Sequence, residues 1–107
     1  MKLSIILSTK NAETNWNALR LANLALNKGD EVNVFLLGEA VEYDKVDQEQ
    51  FNIKEQVDRF LQAETAQLIA CGTCMNIRHQ QDSKSCPKGG IEDLYSLIAT
   101  SDKVLTF

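Results

Sequence analysis

The sequence predicts a single α/β domain over residues 1–107, with a mainly parallel sheet of four to five strands and helices on both faces. Three observations carry this. Short, nearly continuous apolar runs at residues 3–7 and 32–37 suit strands covered on both sides, as parallel strands are. Between such runs, apolar residues recur at helical spacing instead. Strand and helix patterns alternate along the chain, and that order produces parallel strands joined by right-handed helical crossovers.

The first strand is read at residues 2–8, through Leu3, Ile5, Ile6 and Leu7. Residues 13–28 place Trp16, Leu19, Ala22 and Leu26 on one helical face, widened by Leu21, Leu24 and Ala25. Gly29 then supplies the left-handed residue that ends such a helix. The second strand runs through Val32, Val34, Phe35, Leu36 and Leu37. After Gly38, residues 39–50 hold five acidic side chains against one lysine, with weak periodicity apart from Val41, Tyr43 and Val46. They read as a solvated loop with a helical turn, a substrate lid being the alternative.

Phe51, Ile53, Val57, Phe60 and Leu61 return to helical spacing and read as a core-facing helix. Residues 67–70 make a short third strand that ends at Cys71. The polar stretch 75–88 reads as a short helix leading into a loop, punctuated by Pro87, Gly89 and Gly90. Ile91, Leu94, Tyr95, Leu97 and Ile98 outline an amphipathic helix, with Glu92 and Asp93 in its first turn, where carboxylates favour the helix dipole. Residues 104–107 close the chain as a strand.

A chain of 107 residues buries somewhat under about 70% of its unfolded surface, enough for one core with little to spare. Association with copies of itself is a natural way to gain burial. Hydrophobic content of 44% and charged content of 24% are ordinary globular values. With a net charge of −4 the chain lacks the clustered Lys and Arg that displace counterions from phosphate backbones, so no nucleic-acid partner is expected. No apolar run reaches the length of a membrane span, and the opening apolar stretch is too short for a signal peptide, so no membrane is expected either. Three cysteines, two of them close together, do not make a secreted disulfide framework, and a reducing cytoplasm fits them. There is one histidine and no nucleophile-elbow, Walker or dinucleotide-binding pattern, so those enzyme classes lack their residues and no cofactor is expected.

The chemistry-bearing segment is Ala70-Cys71-Gly72-Thr73-Cys74. A cysteine at the carboxyl end of a buried strand sits where open α/β sheets place their reactive groups. A thiol reacts as its thiolate, which a helix N-terminus or nearby cations favour. A helix beginning near Gly72 or Thr73 would aim amides at Cys71, and Arg78, His79, Lys84 and Lys88 form the most basic stretch of an otherwise acidic chain. Gly72 leaves room beside the thiol for a bulky sulfur donor or partner.

Other readings of the same residues stand beside this one. A free cysteine often behaves as a small buried hydrophobe, which applies to Cys71, to Cys74 and to the loop residue Cys86. Cys71, Cys74, His79 and Cys86 follow C-x2-C-x4-H-x6-C, a set of ligand types that tetrahedral zinc prefers. The last gap is longer than in a zinc knuckle, and a domain with its own core needs no structural metal, so no metal site is expected. The C-x-x-C spacing alone suggests dithiol redox chemistry, but here it follows the third strand, and the only proline, Pro87, lies close to it. Ser8-Thr9-Lys10-Asn11 follows the first strand and reads as an ordinary turn, with anion binding as the alternative.

Ala70-Cys71-Gly72-Thr73-Cys74-Met75, the later Cys86-Pro87 with Gly89-Gly90-Ile91-Glu92-Asp93-Leu94, and the closing Ser101-Asp102-Lys103-Val104-Leu105-Thr106-Phe107 resemble the DsrE/DsrF-like family, which includes the sulfur-relay proteins of the Tus system. The resemblance runs over nearly the whole chain. It implies a mainly parallel α/β sandwich, a cytoplasmic location and assembly into a homotrimer or homohexamer. It also implies a sulfurtransferase-type carrier, in which the cysteine at the Cys71 position holds a persulfide. That carrier takes sulfur from a donor and hands the outer atom to an acceptor protein or small thiol. Cys74 is then the candidate resolving thiol, with Gly72, Thr73 and Arg78 forming the binding surroundings and the basic groups near Arg78 stabilising the anion. The alternative is a non-catalytic oligomeric interaction or regulatory domain with structural or metal-binding cysteines.

Overall fold

Lys2–Leu7 (β1), Glu31–Leu36 (β2), Ala66–Cys71 (β3), Lys88–Gly89 (β4) and Lys103–Thr106 (β5) form one sheet in a computed structural model that describes residues 1–46 and 49–107. The spatial order is β4-β3-β2-β1-β5, and every pairing is parallel. β2 lies at the centre, which is why Val32, Val34 and Phe35 have no exposed surface. Its apolar run is continuous because both of its faces are covered.

The helices are Ala12–Asn27 (α1), Ile53–Phe60 (α2), Gly72–Ile77 (α3) and Ile91–Thr100 (α4). Alternate strand residues face opposite sides of a sheet. Leu3 borders a shallow apolar groove with Leu21, Leu24 and Ala25, which places α1 on one face. Ser4 points the other way, and its hydroxyl meets that of Ser101 just past α4 at 2.6 Å. Both faces are therefore covered, as the alternation of patterns predicts. Asn11 caps α1, its side chain accepting the Thr14 N–H at 3.0 Å. That bond, with Thr9 Oγ1 accepting the Asn11 N–H at 3.1 Å, makes residues 8–11 an ordinary capped turn.

Several local expectations shift. α2 begins at Ile53, and Phe51 lies outside it, its ring centroid 5.4 Å from that of Trp16. Arg20 covers the same indole at 4.4 Å, so Trp16 is a partly buried platform rather than a core residue. The α1–α2 contact contains a polar lock as well: Asn23 Nδ2 donates to the Gln56 carbonyl at 3.1 Å and to Gln56 Oε1 at 3.0 Å.

Residues 38–45 are not a solvated loop. They form a 3₁₀ helix, Gly38–Lys45, that buries Ala40, Val41 and Tyr43. The segment kinks at Glu42, between Ala40 and Tyr43, so its buried residues follow no single period along the chain. Of the rest of that acidic stretch, residues 47 and 48 lie outside the described residues. The short helix before the polar loop begins at Gly72, where a helix start would aim amides at Cys71, and stops at Ile77, so little of the stretch 75–88 is helical. Among the described residues no helix is long and apolar enough to cross a membrane.

Candidate active site: a dithiol at the carboxyl edge of the sheet

β3 delivers Cys71 to the carboxyl edge of the sheet, and α3 begins on the next residue. Cys71 is therefore the N-cap of α3, and its sulfur accepts the Cys74 N–H at 3.4 Å. Cys71 is 5% exposed, whereas Cys74 is half-buried and Thr73 exposed. The sequence places both cysteines at the first turn, and the fold keeps them there, joined by that N–H to sulfur bond. Cys74 Sγ also accepts the Gly38 N–H, at 3.2 Å. Gly38 adopts φ +58°, a left-handed conformation that glycine takes without strain, and this aims its amide back toward α3.

A close backbone approach closes the other side. β4 pairs Gly89 with Cys71. A Cβ on Gly72 would lie 3.1 Å from the Gly89 carbonyl oxygen, and one on Gly89 would collide with the Ile69 side chain. Gly72 thus serves the packing of β4 against the strand end as much as access to the thiol. Asp93 Oδ2 accepts the Gly90 N–H at 2.7 Å, fixing the chain where it turns from β4 into α4.

Burial, reinforced by contact with the Cys74 side chain, pushes the Cys71 thiol above its ordinary pKa. This is the reverse of the thiolate that the basic stretch suggests, and two of the basic side chains, Arg78 and Lys88, have other partners. Arg78 Nε donates to Glu42 Oε1 at 3.0 Å, and its Nη1 donates to the Cys74 carbonyl at 3.1 Å. Lys45, then Arg78, hold the Glu42 carboxyl below its usual range. Lys88 Nζ donates to Asn76 Oδ1 at 3.0 Å. His79 takes φ +53° just beyond α3, its N–H bonding the Asn76 carbonyl at 3.1 Å while the Gln80 N–H bonds that of Met75 at 2.9 Å. That pattern terminates a helix, so His79 is placed by backbone geometry.

The 3₁₀ helix and the loop after α3 are fastened together. Gln80 Nε2 donates to the Val41 carbonyl at 2.7 Å, and the Tyr43 hydroxyl donates to the Ser85 carbonyl at 2.8 Å. Cys86, 1% exposed, reaches the same Val41 carbonyl at 3.6 Å. It sits in this cover and not with the dithiol, and no group of three or more His, Cys, Asp or Glu able to hold a metal occurs among the described residues. Burial, with the Asp44 charge beside it, pushes Cys86 from an ordinary 9.0 to about 11. Burial also raises Tyr43.

Both groups hold their protons more tightly when folded than when unfolded. The Cys86 contribution to stability is complete below pH 9.0 and is lost as the pH rises through about 11, while that of Tyr43 is complete below its ordinary 10.0 and is lost only at still higher pH. Urea midpoints are therefore expected to be level below pH 9.0 and to fall from there towards about 11, less steeply in Cys86→Ala. A midpoint that rises over this window would contradict the burial of both groups.

A small all-parallel α/β domain carrying two thiols at the carboxyl edge of its third strand is the class of protein that this geometry defines. The family model for the DsrE/DsrF-like family matches residues 1–107, and the chain belongs to that family, which is associated with sulfur relay in general. An uncharacterized protein of Methanocaldococcus jannaschii, MJ0989, is 29% identical over 114 residues, covering 100% of both chains. The crystal structure of the YchN protein from E. coli superposes with a TM-score of 0.82 at 23% identity, again over 100% of both chains, and shows the shared fold.

Proposed function

We propose that the protein is a cytoplasmic sulfur-relay carrier in which Cys71 accepts sulfane sulfur as a persulfide and passes it to an acceptor thiol. The observation that carries this reading is the position of Cys71: a buried thiol ending β3, with Cys74 on the first turn of the helix that follows, in a chain of the DsrE/DsrF-like family. Loading is an exchange. The Cys71 sulfur attacks the outer sulfur of a donor persulfide, a new S–S bond forms, the donor's S–S bond breaks, and the donor leaves as its thiol with the proton that Cys71 gives up. The raised pKa keeps the resting thiol protonated, which slows its reaction with stray electrophiles. Exposed Thr73 and half-buried Gly72 border the approach to the thiol.

A persulfide donor labelled in its outer sulfur tests this. In Cys74→Ser, which keeps Cys71 as the single cysteine of the β3–α3 segment, the label is expected to bind the protein, survive removal of the donor, and move to an added acceptor thiol. Label that never becomes protein-bound would rule the carrier out.

The carrier works as a homotrimer or homohexamer in this reading. α4 buries Leu94 and Leu97 inward, yet Ile91, Tyr95 and Ile98 form a second stripe at i, i+4 and i+7, exposed by 67%, 73% and 46%. An apolar stripe of that kind marks a contact surface, and the occupant proposed for it is a second copy of the chain. Sedimentation is expected to give a multiple of three chains, and Tyr95→Asp to shift the protein towards monomer. A monomeric wild type would exclude the assembly.

A further inference from the structure

We infer that Cys74 discharges the Cys71 persulfide by attacking its inner sulfur, closing a Cys71–Cys74 disulfide and releasing hydrosulfide, so that the site has a reductive exit beside transfer to an acceptor. The inference rests on Cys71 accepting sulfane sulfur as proposed above, and it adds the product of the reaction and the role of Cys74. Three features of the site lead to it. The two cysteines share the first turn of α3, where the Cys74 N–H donates to Cys71 Sγ at 3.4 Å. The Gly38 N–H, at 3.2 Å from Cys74 Sγ, tethers that second sulfur to the end of β2. Cys71 is 5% exposed, so an outside thiol must reach a covered sulfur, whereas Cys74 is already beside it. A nucleophile held in contact reacts with the advantage of a very high effective concentration.

The step balances without an outside oxidant. The bond between Cys71 Sγ and the outer sulfur breaks as the bond from Cys74 Sγ to Cys71 Sγ forms. The outer sulfur leaves with the electron pair as hydrosulfide, and the Cys74 proton passes to solvent. The sulfane sulfur is reduced to sulfide while the two cysteines are oxidised to the disulfide. Two equivalents of a low-molecular-weight thiol, oxidised to their own disulfide, restore the dithiol.

The full-length wild type and Cys74→Ser are each treated with a small alkyl persulfide in the absence of added thiol. Released sulfide is measured against a protein-free control, and intact masses are taken. Wild type is expected to release one sulfide per chain and to end two hydrogens lighter. Cys74→Ser is expected to retain one added sulfur and to release no sulfide above the control. If Cys74→Ser loads while wild type also keeps its added sulfur and releases no sulfide, the discharge step is overturned and the carrier reading stands. If neither protein takes up sulfur, the carrier reading fails and the inference goes with it.

Discussion

Cys71→Ser is expected to abolish sulfur loading, with no added sulfur and no disulfide after donor treatment, while the fold stays intact. The two halves of this expectation have separate causes. Loading requires a sulfur nucleophile at the end of β3, and a hydroxyl does not form a persulfide. The fold survives because Cys71 is the N-cap of α3, with its sulfur accepting the Cys74 N–H. Serine is among the preferred N-cap residues and takes over that bond with its oxygen. A circular-dichroism spectrum and urea midpoint close to wild type, together with complete loss of loading, is the expected pair of results. Loading at the wild-type level in Cys71→Ser would move the chemistry to Cys74 or Cys86.

The largest effect on stability is expected at Phe35, one of the two phenylalanines that are the largest side chains buried completely. It stands in the central strand, level with Ile6 on β1 and Ile69 on β3. Removing a buried phenylalanine side chain leaves a cavity that close-packed neighbours fill only in part, and Phe35→Ala is expected to cost about 3–5 kcal/mol. Small domains have about 5–15 kcal/mol in total, so much of the stability would go. Ile69 also lies beneath Gly89, the residue paired with Cys71. Chemical denaturation measures the loss, and a change below about 1 kcal/mol would mean that the sheet is not packed as described.

Sequence alone reveals the elements whose signal is local. β1 and β2 show as continuous apolar runs because both of their faces are covered. α1 and α4 show through their 3.6-residue spacing, and Cys71 at a strand end follows from the apolar residues before it and the glycine after it. What sequence reading misses depends on pairings between distant segments. Glu42 and Arg78 lie 36 positions apart, and their ion pair redirects the cation that the basic stretch offered to the thiol. The Gly38 amide on Cys74 spans the same separation, and nothing local in either segment announces it. A glycine straight after an apolar strand run, facing a strand-end cysteine pair on the same sheet edge, is the one signal that could have suggested it.

The cover over the site has no local signature either. The acidic residues of 39–50 suggest solvent, and Glu39 and Asp44 are indeed exposed. The buried members of this segment, Ala40, Val41 and Tyr43, are few and straddle the kink at Glu42, so they sustain no period. Cys86 looks like a loop cysteine next to proline, yet Val41 and Tyr43 enclose the segment around it. Polar core residues such as Asn23 leave no mark in an amphipathic pattern, which counts only apolar positions, although its amide ties α1 to α2.

The central claim is that Cys71 is the sulfur carrier. Peptide mapping of the Cys74→Ser protein after treatment with a persulfide donor tests it most directly, because that variant leaves a single cysteine in the β3–α3 segment and closes the intramolecular exit. The account predicts one added sulfur atom on Cys71 and none on Cys86. An unmodified Cys71, or added sulfur found on Cys86 alone, would contradict it.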